Sequence, residues 1–345
     1  MQKKRTTLKD IARATGVHVS TVSRALDPIG RQTITEEVVK RIQIAADNLG
    51  YRPNRIAAGL RTNRTMTVGV VIPDITNVIF PPILRGIESV LEPQGYASII
   101  VNTDSERDRE ARLLDVLRDR GVDGIIHAAV LRSDPAIARV AQEGLPVVTL
   151  NRRVEASNIP CVINDEYVGI CLMLQHLRQL GHRCIANIAG PQDLSTGQLR
   201  FAAFRQASID QLAGFDESLV SISTGFDERE GHRCMNALLS SGKPVTAVLC
   251  ANDRLALGAI EALRERGIDC PRQISVSGFN DMPFLDLIRP RLTTIRIEQY
   301  GAGRAAAEIL LRLLNGETGD DVQIETILPV ELVVRESTAP REPAA

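Results

Sequence analysis

Apolar residues follow two different rhythms along this chain. Over residues 7–49 they recur every three or four positions, the period of helices with one buried face. Leu8, Ile11 and Ala12 mark a first helix over about 8–15. Val22, Ala25 and Leu26 mark a second over about 19–26, and a third runs over about 36–49. The punctuation agrees. Thr7 followed by Asp10 has the spacing of a capping box, and Gly16 supplies a left-handed stop. Thr35 caps the third helix, Glu36 and Glu37 suit its positive end, and Gly50 closes it.

Beyond residue 65 the rhythm changes. Short β-rich apolar runs at 68–72, 97–101, 124–127 and 146–150 are followed by a second set at 183–188, 247–251 and 274–279. Amphipathic helical stretches, such as 83–91, 107–120 and 167–180, lie between them. Alternation of this kind implies doubly wound parallel sheets with helices on both faces. Two sets imply two α/β subdomains, with a break near 162–164. A segment near 292–295 is expected to cross back, followed by a helix over 298–314. The Pro/Ala-rich tail, 338–345, is expected to be mobile.

Composition adds little until it is resolved along the chain. With 345 residues, 44% hydrophobic and 24% charged, the chain is ordinary globular material of two or three domains. Its formal net charge of −1 argues against a nucleic-acid binder. Yet residues 1–64 carry 13 Lys/Arg against 5 Asp/Glu, and residues 65–345 carry 28 against 37. A strongly basic small head on an acidic body is the footprint of DNA binding.

Several classes are excluded. The six cysteines, Cys161, Cys171, Cys184, Cys234, Cys250 and Cys270, include no C-x-x-C pair, so neither a zinc site nor a disulfide framework is expected. The basic start is not followed by an apolar stretch, and no run approaches the ~18 apolar residues of a membrane span. A cytoplasmic location without a membrane partner is expected. No Gly-rich phosphate loop follows the strand at 68–72, and no G-x-S-x-G or H-E-x-x-H motif is present. The body therefore reads as a ligand-binding clamp without catalysis, metal or cofactor. Its site is expected between the subdomains, at the carboxyl ends of the strands.

Two helices joined by a tight Gly-containing turn, with a third packed behind, form a helix-turn-helix pattern whose second helix enters the major groove. Its leading residues are Val19, Ser20, Thr21 and Arg24. Val19 suits a thymine methyl, and Ser20 can bond several bases. Thr21, Ser23 and Arg24 suit phosphates. Helical periodicity alone fits a small bundle with a solvated charged face equally well; the local charge favours DNA.

The motif set Leu8-Lys9-Asp10-Ile11-Ala12, Gly16-Val17, Thr21-Val22-Ser23-Arg24-Ala25-Leu26 and Leu49-Gly50-Tyr51-Arg52-Pro53-Asn54 resembles the start of the lactose-repressor (LacI/GalR) family. The likeness continues through Pro73-Asp74-Ile75-Thr76-Asn77, Val122-Asp123-Gly124, Gly181-His182, Ala251-Asn252-Asp253 and Gly278-Phe279-Asn280-Asp281. It implies a helix-turn-helix head (1–54), a hinge (55–64) and an effector-binding, dimerising core (65–337) resembling periplasmic sugar-binding proteins. The implied DNA contacts are Thr7, His18, Val19, Ser20, Thr21, Ser23, Arg24 and Asn54, with Arg55, Ala57 and Leu60 in the hinge. Leu60 occupies the position of the family's minor-groove wedge. His18 stands where a capping Ser is common. It can act as a cap, as a phosphate contact when protonated, or as a tolerated surface residue.

The resemblance also implies an effector pocket of Ile79, Phe80, Asn151, Thr196, Arg200, Phe226, Asn252 and Asn280. Arg200 offers a planar fork for paired hydroxyls or a carboxylate. Asn252 and Asp253, and likewise Asn102 and Asp104, can instead serve as local caps. Leu194 replaces the Arg of purine-responsive members, which disfavours a purine. Asn151 and Asn280 stand where many members place Asp, which allows a sugar acid beside a neutral sugar. The partners implied are a pseudo-palindromic double-stranded operator, a small sugar or sugar-acid effector, and a second copy of the chain in a homodimer. The function implied is transcription regulation, as a repressor. The alternatives are a soluble sugar-binding protein or a sugar-processing enzyme without DNA regulation.

Overall fold

The computed structural model describes residues 6–26, 33–51, 64–212, 214–317 and 323–341. It divides into two units, Met1–Thr65 and Met66–Ala345.

The first unit contains α1 (Leu8–Thr15), α2 (Val19–Ala25) and α3 (Glu36–Asn48). They close around Ile11, Val22, Ala25, Ile42 and Ala46, the apolar positions that the helical period picks out. The Asp10 carboxylate accepts hydrogen bonds from the Thr7 N–H at 2.9 Å and the Thr7 hydroxyl at 2.7 Å. Gly16 adopts φ 70° and donates its N–H to the Ala12 carbonyl at 2.9 Å. A side chain would disfavour that left-handed turn, so glycine sets the angle between α1 and α2.

The second unit holds two doubly wound subdomains. In the first, β1 (Thr67–Ile72), β2 (Ala97–Asn102), β3 (Gly124–His127), β4 (Val147–Leu150), β5 (Cys161–Asn164) and β11 (Glu325–Leu328) form a parallel sheet of order β11-β5-β4-β3-β1-β2. Val68, Val70 and Ile72 face one core with α4 (Phe80–Leu91) and α11 (Gln299–Leu314). Val71 faces the other, with α5 (Arg107–Asp119) and α6 (Pro135–Gln142). Period-2 alternation distributes one apolar strand between two cores. Helices α4 and α11 meet backbone to backbone at Gly86 and Gly303, where a Cβ on either would strike the opposite main chain.

In the second subdomain β6 (Ile185–Ala189), β7 (Val220–Ile222), β8 (Ala247–Cys250) and β9 (Ser275–Ser277) form a parallel sheet of order β7-β6-β8-β9. Helices α7 (Glu166–Gln179) and α8 (Ser195–Gln211) cover one face, and α9 (Glu228–Ser240) and α10 (Asp253–Glu265) the other. The antiparallel pair β10 (Thr294–Ile297) and β12 (Val330–Val333) packs beside α7.

The alternating strands and helices thus form the predicted architecture, with differences in detail. Helix α4 begins at Phe80, before the expected 83, because Pro81 and Pro82 fall in its first turn, where a missing N–H is tolerated. The chain changes subdomain three times, after β5, β10 and β11, so the expected single return near 292 is a return after Ile297 followed by another exchange. The expected mobile tail is corrected over residues 338–341. Thr338 is buried, and its hydroxyl lies 3.0 Å from both the Thr293 hydroxyl and His176 Nε2. Ala339 donates its N–H to Ser275 Oγ, and its carbonyl accepts from His182 Nε2. These bonds satisfy the backbone that composition alone marks as loose.

Candidate functional site

On the head, His18, Ser20 and Arg24 are exposed, Thr7 is exposed at the start of α1, and Thr21 and Ser23 are half-buried. Val19 is half-buried against the head's core, which leaves part of it for a groove. The role of His18 is visible. Its Nδ1 accepts the Ser20 N–H at 3.3 Å and lies 2.8 Å from the Ser20 hydroxyl, so it caps α2. With Nδ1 accepting, the ring proton of the neutral form sits on Nε2, a donor directed away from the cap. Arg24 Nε donates to the Ser20 carbonyl at 3.4 Å, which aligns it with Ser20 on one helix edge. Asn54, Arg55, Ala57 and Leu60 lie outside the described residues.

In the body, a cavity of about 350 Å³ lies between the subdomains. It is lined from the first by Pro73, Asp74, Asn77, Glu110, Ala129 and Arg152, and from the second by Pro191, Asp193, Leu194, Phe226, Asp227 and Arg254, among others. Every wall is a loop or helix start following a strand, as expected of doubly wound sheets. Its volume is at the lower end of small-molecule sites.

Two ionic contacts join the walls. Arg254, in the first turn of α10, donates Nη1 to Asp74 Oδ2 at 2.8 Å. Its remaining fork grips Glu228 through Nε–Oε1 and Nη2–Oε2, both 2.8 Å. Arg107 reaches Asp193 at 3.4 Å. Burial raises the pKa of Asp74 and Glu228, but hydrogen bonds outweigh it. The Thr76 hydroxyl, the Thr76 N–H and Arg254 hold Asp74 below the usual range, and Arg254 with a backbone N–H does the same for Glu228. Both are anionic at neutral pH.

Of the eight effector positions, Phe226 lines this cavity. Ile79 and Phe80, at the start of α4, are buried in the core of the first subdomain. Asn151, at φ 63°, directly follows β4, and its Oδ1 accepts from Asn164 at 3.2 Å. Thr196 is buried in the first turn of α8. Asn252 caps α10 by accepting the Leu255 N–H at 2.8 Å. Asn102 is not a cap; its Oδ1 accepts the Ile75 N–H at 3.0 Å and ties β2 to the loop after β1.

Arg200, 3% exposed, is already satisfied. Its Nε and Nη2 pair with the two carboxylate oxygens of Glu166 at 2.5 and 3.1 Å, Nη1 donates to the Ala251 carbonyl at 2.6 Å, and Nη2 reaches Asn280 Oδ1 at 3.4 Å. The guanidinium also lies 3.7 Å from the Phe279 ring centroid. Burial pushes the Glu166 carboxyl up, opposed by the charge and hydrogen bonds of Arg200. The fork expected to meet ligand is occupied by an internal carboxylate. Replacing Asp by Asn at 151 and 280 therefore does not leave Arg200 in need of an anion.

Sequence reasoning missed Glu166, Arg152, Glu110, Asp74 and Arg254 as site residues. Arg152 carried a usable signal, since it directly follows Asn151 at the end of a strand. Among the described residues no group of His, Cys, Asp and Glu could hold a metal ion. No helix among them is long and apolar enough to cross a membrane.

A helix-turn-helix head on a two-subdomain binding body defines a DNA-binding transcriptional regulator. Residues 7–54 match the family of bacterial regulatory proteins of the lacI type, and residues 174–338 match a periplasmic binding protein-like domain. The HTH-type transcriptional regulator RegA of Clostridium saccharobutylicum is 33% identical over 96% of this chain and 99% of its own length. Among solved structures, a lac repressor dimer bound to operator and the anti-inducer ONPF aligns at TM-score 0.84, with 27% identity over 97% of this chain and 100% of that one. A ribose-bound LacI family regulator from Enterococcus faecium aligns at 0.68, with 32% identity over 80% and 100%. The chain belongs to the lacI family.

Proposed function

We propose that this regulator is a homodimeric repressor that reads a pseudo-palindromic operator and is switched by a small sugar-like effector in the cleft. Thr7, His18, Val19, Ser20, Thr21, Ser23 and Arg24 contact DNA from the head, with Asn54. Arg55, Ala57 and Leu60 act from the hinge at 55–64, where Leu60 wedges the minor groove. Domain limits of 1–54, 55–64 and 65–337 go with this reading. The observation that carries it is the joining of a basic helix-turn-helix head to a body whose two subdomains close on a polar cavity.

Operator DNA and a dimer belong to the lac repressor structure by its description, and ribose to the Enterococcus regulator. Their likeness to this chain supports the same partner types here. The cavity walls supply charged and hydrogen-bonding side chains, Asp74, Glu110, Arg152 and Arg254 among them, which suit a polyhydroxylated ligand. Effector binding changes the angle between subdomains, the dimer passes that change to the paired hinges, and the coupling is about 1–3 kcal/mol, as typical of allostery.

The test is a gel shift on DNA upstream of the chain's own and neighbouring genes. Retention by the full chain, its loss on removing residues 1–64, and a change on adding a bound sugar are the expected results. Sugar binding without DNA retention would favour the plain sugar-binding alternative.

A further inference from the structure

Four buried polar atoms near the carboxyl ends of β3 and β4 have no hydrogen-bond partner: Glu110 Oε1, His127 Nε2, Thr149 Oγ1 and Arg152 Nε. Their residues are no more than 8% exposed. Three of them share one face of the first sheet. His127 pairs in register with Val71 on one side and Thr149 on the other, and Val71 packs with Leu114 and Leu117 of α5. Glu110 lies one turn before Leu114 on the same helix, which brings its carboxylate down beside His127. Oε1 and His127 Nε2 are 3.0 Å apart, yet they are not aligned as a hydrogen bond. Glu110 and Arg152 line the cavity, while His127 and Thr149 stand behind them.

Local bonds fix which of these atoms donate. His127 Nδ1 accepts the Ala129 N–H at 3.1 Å, so the neutral ring carries its proton on Nε2. Arg152 Nη1 donates to the Ala129 carbonyl at 3.2 Å, which leaves its Nε–H over. One peptide thereby orients two donors beside one carboxylate that can only accept. A native chain keeps unanswered buried polar atoms at few places, and a cavity wall is one where a ligand can answer them.

The charges decide what kind of ligand. Burial depresses the pKa of Arg152 to about 10, and Glu110 is the first of the charges opposing that fall. The guanidinium therefore faces the cavity already offset by a carboxylate. An anion placed there would meet Glu110 at close range in a poorly screened setting. A hydroxyl fits without conflict, because it donates to a carboxylate while it accepts from an N–H.

We propose that Glu110 is a specificity-determining residue of the cleft: it accepts a hydrogen bond from an effector hydroxyl and, by offsetting Arg152, excludes sugar acids and sugar phosphates. This rests on the reading of the cleft as the effector site. It narrows the sugar or sugar-acid class to uncharged polyhydroxylated ligands.

Calorimetry on the full chain tests it, with pentoses and hexoses and their aldonates and phosphates as probes. The expected result is saturable binding of at least one neutral sugar, with its aldonate and phosphate weaker by about tenfold or more, as the loss of a hydrogen bond to a charged group implies. Glu110→Gln is expected to weaken the neutral sugar and to narrow its lead over the aldonate several-fold. Glu110→Asp keeps the charge and is expected to keep the lead. A packing defect would weaken both ligands alike and leave their ratio unchanged. An aldonate or phosphate binding as tightly as its parent sugar would overturn the inference. So would an unchanged ratio in Glu110→Gln, or loss of the lead in Glu110→Asp; in each case the effector site stands. The order of affinities in the unaltered chain decides the matter where a variant fails to fold. Binding of no probe would overturn both the inference and the sugar-effector reading.

Discussion

Arg254 of the second subdomain holds Asp74 of the first, Nη1 to Oδ2 at 2.8 Å, while the rest of its fork is held by Glu228. One guanidinium thus clasps the two walls of the cleft between the subdomains. Both side chains of the bridging pair are partly exposed, at 19% and 33%. The clasp therefore contributes about 1 kcal/mol or less, as partly solvated ion pairs do. That suffices to bias a two-state body without locking it. Arg254→Met is expected to open the ligand-free cleft, seen as a larger radius of gyration in solution scattering. An unchanged radius would show that the clasp does not hold the walls.

Glu166 and Arg200 form a buried, bidentate pair. Removing one partner leaves the other charged and unpaired, so Glu166→Gln is expected to cost about 3–5 kcal/mol of unfolding free energy. The double variant Glu166→Gln/Arg200→Met should recover much of that loss. Denaturant unfolding of the three variants checks both statements, and a fully additive double variant would contradict the pairing.

Asp253 gives stability a pH dependence of its own. Burial raises its pKa from 3.8 to about 6, against hydrogen bonds donated by the Thr294 hydroxyl and the Met282 N–H. Between those values the native state binds more protons than the unfolded chain, so stability falls as pH rises. Its contribution is largest below pH 3.8 and is lost through pH 6, by roughly 2–3 kcal/mol for a shift of about two units. Asp253→Asn, which can donate to Thr294 and accept from Met282, is expected to remove that slope in melting curves at pH 4–7.

His176 and His182 have the opposite sign. Burial lowers both pKa values from 6.5; a neighbouring histidine adds to this for His176, and Arg341 opposes a backbone hydrogen bond at His182. Below pH 6.5 the unfolded chain binds protons that the native rings resist, so their contribution is present at neutral pH and lost as pH falls. Because they hold Thr338 and Ala339, the loss is expected locally first. Hydrogen exchange over residues 335–341 should accelerate at pH 5.5 relative to 7.5, more than in the β6–β8 core.

Much of the fold was legible because both rhythms are backbone periods. Val68, Val70 and Ile72 against Val71 reveal a strand between two cores, and Ile11 and Ala12 reveal a helix face. The site was less legible because its decisive partners are far apart in sequence. Arg200 reads as a ligand fork until Glu166, 34 residues earlier, is seen to fill it. Arg152 follows Asn151 at the end of a strand, but only the folded chain shows it buried in the cavity wall beside Glu110. The docking of Thr338 needed contacts from Thr293 and His176, which no local composition announces.

The central claim is that the helical head reads DNA under control of the cleft. Selection of bound sequences from a random duplex library by the full chain tests it most directly. The account predicts an enriched pseudo-palindrome, affinity falling steeply with salt as phosphate contacts require, and a several-fold change in that affinity when a cleft ligand is added. Recovery of no enriched sequence, or an affinity indifferent to every ligand that binds the cleft, would contradict it.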